Sequence, residues 1–308
     1  MPHRQQPHTS ATPLLLPSAR PAPLVPLASP LSPLYLLDYV TTFLVMATSV
    51  FLDNVPEPFH RDFQLYDPQI SHPYRTETVP SWMGWVIAFG GAAVIVLAVC
   101  AVRAWKVTRR RDCPEDWRAT MGWDVHHAVL GTILAVALTQ FVTNVLKLMI
   151  GELRPDFLAR CQPSLLEPQT CTNPNASSIR DGRMSFPSGH SGRVAAGLGF
   201  ALWYLVAATG AAVIDQRRPE GRIWKLLLCF MPLLVIATMA INRLQRNRHH
   251  VQDVCVGGVL GLAISYISYR YYYYSVASRH AGKPKLGPLG HDETGGEPGA
   301  QESPNEAE

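Results

Sequence analysis

The chain has 308 residues, a formal net charge of +4, 47% hydrophobic residues and only 16% charged residues. Its mean hydropathy of +0.05 is that of an ordinary globular protein. This average conceals a segregation, because proline and charge are concentrated in some stretches and missing from others. A soluble helix normally exposes a polar face, so the long uncharged stretches argue against a soluble single domain.

Six apolar runs predict six transmembrane helices. A helix needs about 20 apolar residues to cross the bilayer. Three runs contain no Asp, Glu, Lys or Arg over 19 to 21 positions, namely 82–102, 128–146 and 194–214. Three others are shorter or interrupted, namely 34–52 with Asp38, 226–242 with Pro232, and 254–269. Six buried helices of a soluble core would need a polar partner layer that this chain lacks. We therefore expect an all-α, polytopic membrane protein.

The two ends of the chain have the composition of tails. Residues 1–33 contain nine prolines, a density that excludes regular helix or sheet. Residues 276–308 are rich in Gly, Pro and acidic residues. We predict disordered cytosolic tails at 1–33 and 276–308 around a membrane domain at 34–275.

The distribution of cations between the loops predicts the orientation. One set of loops has 14 Lys and Arg in 47 residues, and the other has 10 in 80 residues. The positive-inside rule then places both termini in the cytosol and the loop 151–193 in the lumen or outside the cell. Cys161 and Cys171 lie in that loop, where an oxidising compartment would allow a disulfide. Asn175 begins a glycosylation sequon there, although such sequons also occur by chance.

Two polar clusters flank apolar runs on this outer side. Lys147 and Arg154 are seven residues apart, hence on one helical face, and could hold an anion. They could equally extend to lipid head groups. The segment SFPSGHSG, residues 185–192, precedes the fourth run. A turn that opens a helix offers free backbone N–H groups to phosphate, with His190 beside it, although a lone His at such a position is more often a capping or solvated residue.

The third cluster is NRLQRNRHHVQDV, which leads into the last run. His249 and Asp253 are four residues apart and share a helical face. The carboxylate could fix one ring nitrogen of His249 and leave the other free as a nucleophile or base. Arg243 adds a cation six residues earlier. The alternative is a salt bridge at the helix start without any catalytic role.

Together the clusters read K-x6-RP, PSGH and R-x5-H-x3-D. This order closely resembles the signature of the type 2 phosphatidic acid phosphatase superfamily, in its lipid phosphate phosphatase branch. The resemblance covers roughly residues 34 to 275 and includes FQLYDPQISHPY after the first run. One position departs from the pattern, since Asn242 stands where the family usually has Ser before the arginine. That change puts a hydroxyl contact near the phosphate in doubt.

The resemblance implies a role for each matching residue. His249 would attack phosphorus to form a phosphohistidine, Asp253 would orient it, and His190 would protonate the leaving alkoxide. The phosphate oxygens would be held by Lys147, Arg154, Ser188, Gly189 and Arg243. We expect no metal and no other cofactor, because the clusters offer cations and histidines around a single carboxylate.

The expected substrate is a membrane lipid phosphate or diphosphate whose chains stay in the bilayer, such as phosphatidate, lysophosphatidate or diacylglycerol pyrophosphate. We expect no nucleic-acid partner, and oligomeric state cannot be read from the sequence. Two alternatives remain: an isoprenoid diphosphate phosphatase of the same superfamily, and a catalytically silent membrane adaptor. The expected location is an endomembrane (ER, Golgi or vacuole) or the plasma membrane.

Overall fold

The computed structural model describes residues 33–111, 113–114, 117–164, 166–167, 169–212, 223–278 and 280–285. Six helices in these ranges are long and apolar enough to cross a membrane, so the six-helix prediction is confirmed. The same ranges contain isolated bridges but no sheet. In chain order the helices are α1 (Pro33–Asn54), α2 (Ser81–Thr108), α3 (Trp117–Ile150), the short α4 (Phe157–Cys161) and α5 (Ala176–Gly182), α6 (Gly189–Thr209), α7 (Ile223–Gln245) and α8 (Val251–Tyr272).

The largest difference from the predicted boundaries is at α3, which begins at Trp117 rather than at residue 128. The search for uncharged runs missed its first turns because they contain Asp124 and other polar residues. Inside the bundle, Arg103 donates to Asp124 Oδ2 at 2.5 Å and the Tyr204 hydroxyl donates to the same oxygen at 2.7 Å. The paired carboxylate is therefore compatible with a buried helix.

Small residues bring α6 and α8 into backbone contact. A Cβ atom added to Gly257 would lie 2.5 Å from the carbonyl oxygen of Ser188, and one added to Gly261 would collide with the carbonyl oxygen of Gly192. Such small-residue contacts are typical of membrane helix pairs, whose backbones pack closely where side chains are absent. As a consequence, the N-terminal ends of α6 and α8 meet, and these ends contain the second and third sequence clusters.

The loop between α3 and α6 folds into a compact cap over this end of the bundle. A disulfide joins Cys161 to Cys171, the pair that the sequence allowed. Arg160 bridges two carboxylates, with Nε 2.9 Å from Asp156 Oδ1 and Nη1 2.9 Å from Asp181 Oδ2. The cap thus holds charged side chains in fixed positions beside the ends of α3, α6 and α8.

The chain after α8 turns back onto the bundle. An isolated bridge joins Tyr273 to Pro284, and the Lys285 amine donates to the carbonyl oxygen of Arg270 at 2.5 Å. Contacts therefore continue to Lys285, beyond the predicted domain boundary at residue 275. The rest of the predicted tails, residues 1–32 and 286–308, lies outside the described residues.

Candidate active site

The three sequence clusters meet at one end of the bundle. The Ser188 backbone N–H donates to the carbonyl oxygen of Asp253 at 3.0 Å, which joins the start of α6 to the first turn of α8. A Cβ atom added to Gly189 would lie 3.4 Å from Lys147 Nζ at the end of α3. Arg154 reaches the same region, with Nη1 3.5 Å from the carbonyl oxygen of Arg248. Residues more than 100 positions apart thus form one site.

His249 is buried and oriented by the carboxylate that the sequence predicted. Its Nδ1 lies 3.5 Å from Asp253 Oδ2, and the Ser185 hydroxyl donates to that oxygen at 2.5 Å. Within the described residues, Ser185 and Asp253 both contact His249 at Nδ1. The other ring nitrogen, Nε2, is therefore available to a bound substrate. Burial lowers the pKa of His249 to about 4, although its contact with Asp253 acts in the opposite direction. The imidazole is therefore neutral at pH 7, as a nucleophile must be.

His250 contacts the same carboxylate as His249, but its pKa is shifted in the opposite direction. Its backbone N–H donates to Asp253 Oδ2 at 2.9 Å, which caps the start of α8. The side-chain contact with Asp253 raises the pKa of His250 above its ordinary value, because burial lowers it less than the carboxylate raises it. Its Nε2 lies 3.2 Å from the carbonyl oxygen of Gln69. His250 therefore caps α8 directly beside His249.

His190 lies at the start of α6 with a free ring nitrogen. Its Nε2 is buried and has no hydrogen-bond partner among the described residues. The positive groups that act electrostatically on its ring include Arg243, Arg193 and Lys147. A buried nitrogen in this setting could exchange a proton with a bound phosphate ester. The start of α6 places His190 at the end of the bundle where the three clusters meet.

Hydrogen bonds to protein oxygens fix the orientation of the arginines that are predicted to bind phosphate. Arg154 donates from Nη2 to Asp181 Oδ1 at 2.6 Å and from Nε to the carbonyl oxygen of Asp181 at 2.8 Å. Arg243 is almost fully buried and donates from Nη2 to the carbonyl oxygen of Val79 at 2.8 Å. Each guanidinium has five N–H donors, so further donors remain for an anion.

The start of α6 supplies the remaining predicted phosphate contacts. Ser188 is fully buried, and its hydroxyl accepts from the Ser191 backbone N–H at 3.4 Å as the helix N-cap. Gly189 is the first residue of the helix. The free N–H groups and the positive end of the helix dipole at this point favour an anion.

Asn242, which departs from the family pattern, contacts a predicted phosphate ligand directly. Its Oδ1 accepts from Arg243 Nη2 at 2.9 Å, and its Nδ2 donates to Thr78 Oγ1 at 2.8 Å. The amide thereby links Arg243 to the loop before α2. Asn242 therefore replaces the serine hydroxyl of the family pattern by a longer side chain that orients Arg243.

Sequence reasoning missed three residues of the site. Ser185 lies within the second motif and binds Asp253, as described above. Arg193, three residues after His190, lies over the Trp85 ring at 3.8 Å. Arg248 precedes His249 and lies between Asp156 and Glu77, with 4.0 Å and 3.6 Å between charged atoms. Their proximity to the motifs was the only available signal, because their partners come from distant loops.

No group of three or more His, Cys, Asp or Glu side chains that could hold a metal ion occurs within the described ranges. The carboxylates near the site face other protein groups, with Asp253 toward His249 and His250 and Asp181 toward Arg154 and Arg160. The positive charge available to a phosphate comes from Lys147, Arg154, Arg193 and Arg243.

Comparison with known proteins identifies the family. Residues 128–277 match the PAP2 superfamily. The chain is 35% identical over 223 residues to diacylglycerol pyrophosphate phosphatase 1 of Saccharomyces cerevisiae, covering 70% of this chain and 71% of the relative. It is 33% identical over 242 residues to lipid phosphate phosphatase 2 of Arabidopsis thaliana, covering 75% of each. No solved structure matches the chain. Because these matches extend over most of both chains, and the superfamily match includes all three clusters of the site, this chain belongs to the PAP2 superfamily.

Proposed function

We propose that this chain is an integral membrane phosphatase that hydrolyses lipid phosphates and diphosphates such as phosphatidate, lysophosphatidate and diacylglycerol pyrophosphate. One observation carries the proposal: a neutral, buried His249, oriented by Asp253, lies among Lys147, Arg154 and Arg243 where the membrane-spanning helices end. The relatives named for diacylglycerol pyrophosphate and lipid phosphates support the substrate class.

The reaction follows from the arrangement of the side chains. The Nε2 atom of His249 attacks phosphorus, the phosphorus–oxygen bond to the leaving group breaks, and His190, in its protonated imidazolium form, donates a proton to the departing alkoxide. Asp253 stabilises the positive charge that develops on His249. His190 then takes a proton from water as the oxygen attacks phosphorus, which releases phosphate and restores both histidines.

The cations of the site stabilise the charge that collects on the phosphoryl oxygens. Lys147, Arg154 and Arg243 are buried, where a positive charge acts more strongly on an anion than in water. The Gly189 backbone and Ser188 add neutral donors from the start of α6. In two-metal phosphatases, metal ions stabilise the negative charge of the phosphoryl oxygens. Because these cations would do the same here, we expect catalysis without added metal.

The active site faces the lumen or the cell exterior in our proposal. The cations concentrate in the loops at the opposite end, and the disulfide-containing cap covers the catalytic end. An endomembrane (ER, Golgi or vacuole) or the plasma membrane is compatible with this orientation. Cys113 is an exposed free thiol in the predicted cytosolic loop. A membrane-impermeant maleimide should label it in sealed vesicles whose cytosolic face is outside, and protection from the reagent would reverse the topology.

Two alternatives lead to different measurements. An isoprenoid diphosphate phosphatase would show a higher kcat/KM for farnesyl diphosphate than for phosphatidate. A silent adaptor would show no turnover with either substrate. The presence of His190, His249 and Asp253 in one site argues against the adaptor.

The decisive experiment is a phosphate-release assay on the full chain in phosphatidylcholine vesicles that contain phosphatidate and EDTA. Hydrolysis should proceed in EDTA, and vanadate should inhibit it by occupying the phosphate site. A strict dependence on added magnesium would refute the metal-independent mechanism. Absence of turnover with all lipid phosphates and diphosphates would refute the proposed function.

A further inference from the structure

A second charged cavity lies at the end of the bundle opposite the active site. It has a volume of about 450 Å³ and lies between the end of α2, the start of α3 and the segment that turns back after α8. Asp124 lines it and is 23 residues before Lys147 on α3, hence about 35 Å away at 1.5 Å per residue. The cavity is therefore separate from the catalytic site by the thickness of a membrane.

The charge of this cavity is positive. Its lining includes the cations Arg103, Lys106, Arg110 and Lys283. Among the described residues, no carboxylate forms an ion pair with Lys106, Arg110 or Lys283, and all three are exposed. The lining carboxylate, Asp124, already accepts from Arg103, Tyr204 and Tyr273. Within the described part of the loop and of the segment after α8, these three cations therefore have no carboxylate partner.

The segment after α8 forms one wall of the cavity. The bridge between Tyr273 and Pro284 holds the turn in place. Gly282 has a positive φ of 76°, and a Cβ atom there would lie 2.7 Å from Arg103 Nη2. Glycine therefore permits the turn to approach the arginine and brings Lys283 to the cavity.

An apolar cleft lies further along the same two helices, in the membrane-spanning region. This cleft has a volume of about 260 Å³ and lies between the same two helices, α2 and α3. Its lining includes Ala93, Leu97 and Val129. Leu97 is six residues from Arg103 on α2, a separation of about 9 Å along the helix. A positive pocket and an apolar cleft therefore follow one another along one helix seam.

We propose that this seam binds an anionic phospholipid, with its phosphate in the basic cavity and one acyl chain in the cleft. The occupant follows from the two parts together, because a free phosphate would use only the cations and an uncharged lipid only the cleft. The charged end is at the predicted cytosolic boundary, where anionic lipids attract basic residues. The proposed hydrolase function is not needed for this binding.

Lipid binding to the full chain in detergent can be measured by native mass spectrometry with dioleoyl phosphatidylglycerol, a phosphodiester without a phosphomonoester group. Replacing Lys106, Arg110 and Lys283 by Gln should weaken binding on the order of 100-fold, because each cation near an anionic lipid contributes about fivefold. The matched control replaces Arg109, Arg111 and Arg118 by Gln. These cations belong to the same loop region but do not line the cavity, so binding should change less than about threefold. Equal weakening in both triple variants would overturn the proposal.

The cleft is tested by filling it. The exposed Ala93 lines the cleft, and its exposed neighbour Val94 does not. Ala93→Trp should weaken binding of dioleoyl phosphatidylglycerol at least fivefold, and Val94→Trp should leave it unchanged. If millimolar inorganic phosphate displaces the lipid from the wild type, the site is a simple anion site and the phospholipid assignment is wrong.

A last variant distinguishes this site from the active site. Lys147→Ala removes a catalytic-site cation and should leave phosphatidylglycerol binding within twofold of the wild type. Loss of lipid binding in Lys147→Ala would place the lipid in the catalytic site and overturn the proposal. Loss of phosphatase activity with unchanged lipid binding would support both sites independently.

Discussion

The two ends of the bundle both bury charged groups but complete their hydrogen bonds differently. At one end, both oxygens of Asp124 are used, Oδ2 by Arg103 and Tyr204 and Oδ1 by Tyr273 at 3.0 Å. At the catalytic end, several buried polar atoms have no partner among the described residues: His190 Nε2, Arg193 Nε, Arg243 Nε, Arg248 Nε and Asp253 Oδ1. The Asp124 carboxylate is thus fully paired, although His126 Nε2 and His127 Nδ1 near it also have no partner among the described residues.

This difference separates a structural cluster from a catalytic one. A buried polar group without a partner costs about 1 to 3 kcal/mol, so the unpartnered nitrogens at the catalytic end carry a cost that the paired Asp124 carboxylate does not. A phosphate group would supply acceptors to the unpartnered arginine nitrogens and to His190. We therefore expect substitutions at the catalytic end to affect turnover and substitutions around Asp124 to affect stability.

The largest expected effect is that of His249→Ala. Removing the nucleophile should lower kcat on phosphatidate by at least about 10⁴-fold, because no other group can form the phosphoenzyme intermediate. The control is His250→Ala, which removes the neighbouring histidine on the same carboxylate and should cost less than about tenfold. The measurement is phosphate release at saturating substrate. Similar losses in the two variants would mean that the nucleophile has been assigned to the wrong histidine.

His190→Ala should show an effect that depends on the leaving group. A general acid contributes about 10² to 10⁴-fold when the leaving alkoxide needs a proton. The loss should therefore be large on an alkyl lipid phosphate and at least tenfold smaller on nitrophenyl phosphate, whose leaving group needs no proton. His249→Ala should be inactive on both esters. If His190→Ala loses the same proportion on both, His190 binds phosphate or is structural and is not the acid.

Asp124→Ala should lower stability and leave the chemistry unchanged. Removing Asp124 should cost about 1 to 3 kcal/mol, because the partly buried Arg103 loses its counter-charge and the buried Tyr204 hydroxyl loses its acceptor. We expect a lower thermal unfolding midpoint in detergent and an unchanged kcat per folded molecule. The double variant Arg103→Met with Asp124→Leu should recover most of the loss, since both charges are then absent. A lowered kcat in the folded Asp124→Ala protein would show that the two ends are coupled.

The pH dependence of stability should have opposite contributions from the two adjacent histidines. The pKa of His249 is lowered to about 4, so the unfolded chain binds more protons than the folded chain between about pH 4 and 6.5, and stability falls as pH falls. From pH 7 to 5 this loss is about 2 kcal/mol. The pKa of His250 is raised, so its contribution is present below about pH 6.5 and is lost as pH rises through the folded pKa.

Thermal unfolding of two variants between pH 5 and 7 tests these signs. His249→Gln should flatten the dependence of the unfolding midpoint on pH, and His250→Gln should steepen it. A change in the same direction in both variants would contradict the electrostatic difference between the two rings.

The helices were predictable because the absence of charge over about 20 residues is a property of the sequence itself. The first turns of α3 could not be predicted in this way, because they contain a charged residue, Asp124. Its burial depends on hydrogen bonds from α2, α6 and the segment after α8, which the local sequence does not reveal. The clusters that form the site were recognisable from their order and spacing, and the structure confirms that they meet. Their catalytic roles stay predictions. Ser185, Arg193 and Arg248 escaped detection because their importance depends on which loops meet around them.

The smallest expected effect concerns Asn242, where the chain departs from the family pattern. Its Oδ1 accepts from Arg243 Nη2 at 2.9 Å, so the amide fixes the orientation of an arginine that is predicted to bind phosphate. Asn242→Ala should raise KM for phosphatidate about threefold to tenfold, the range of one lost hydrogen bond of ordinary strength, while kcat changes less than twofold. Asn242→Ser, which restores the usual family residue, should give an intermediate KM, because its shorter side chain can donate to a phosphate oxygen but orients Arg243 less firmly. Arg243→Lys should raise KM more than either Asn242 variant. Lysine lacks the planar set of donors that allows Arg243 to contact the Val79 carbonyl and a phosphate at the same time. If Asn242→Ala lowers kcat and leaves KM unchanged, Asn242 acts on the transition state, and the incomplete hydrogen bonding at the catalytic end extends to this loop as well.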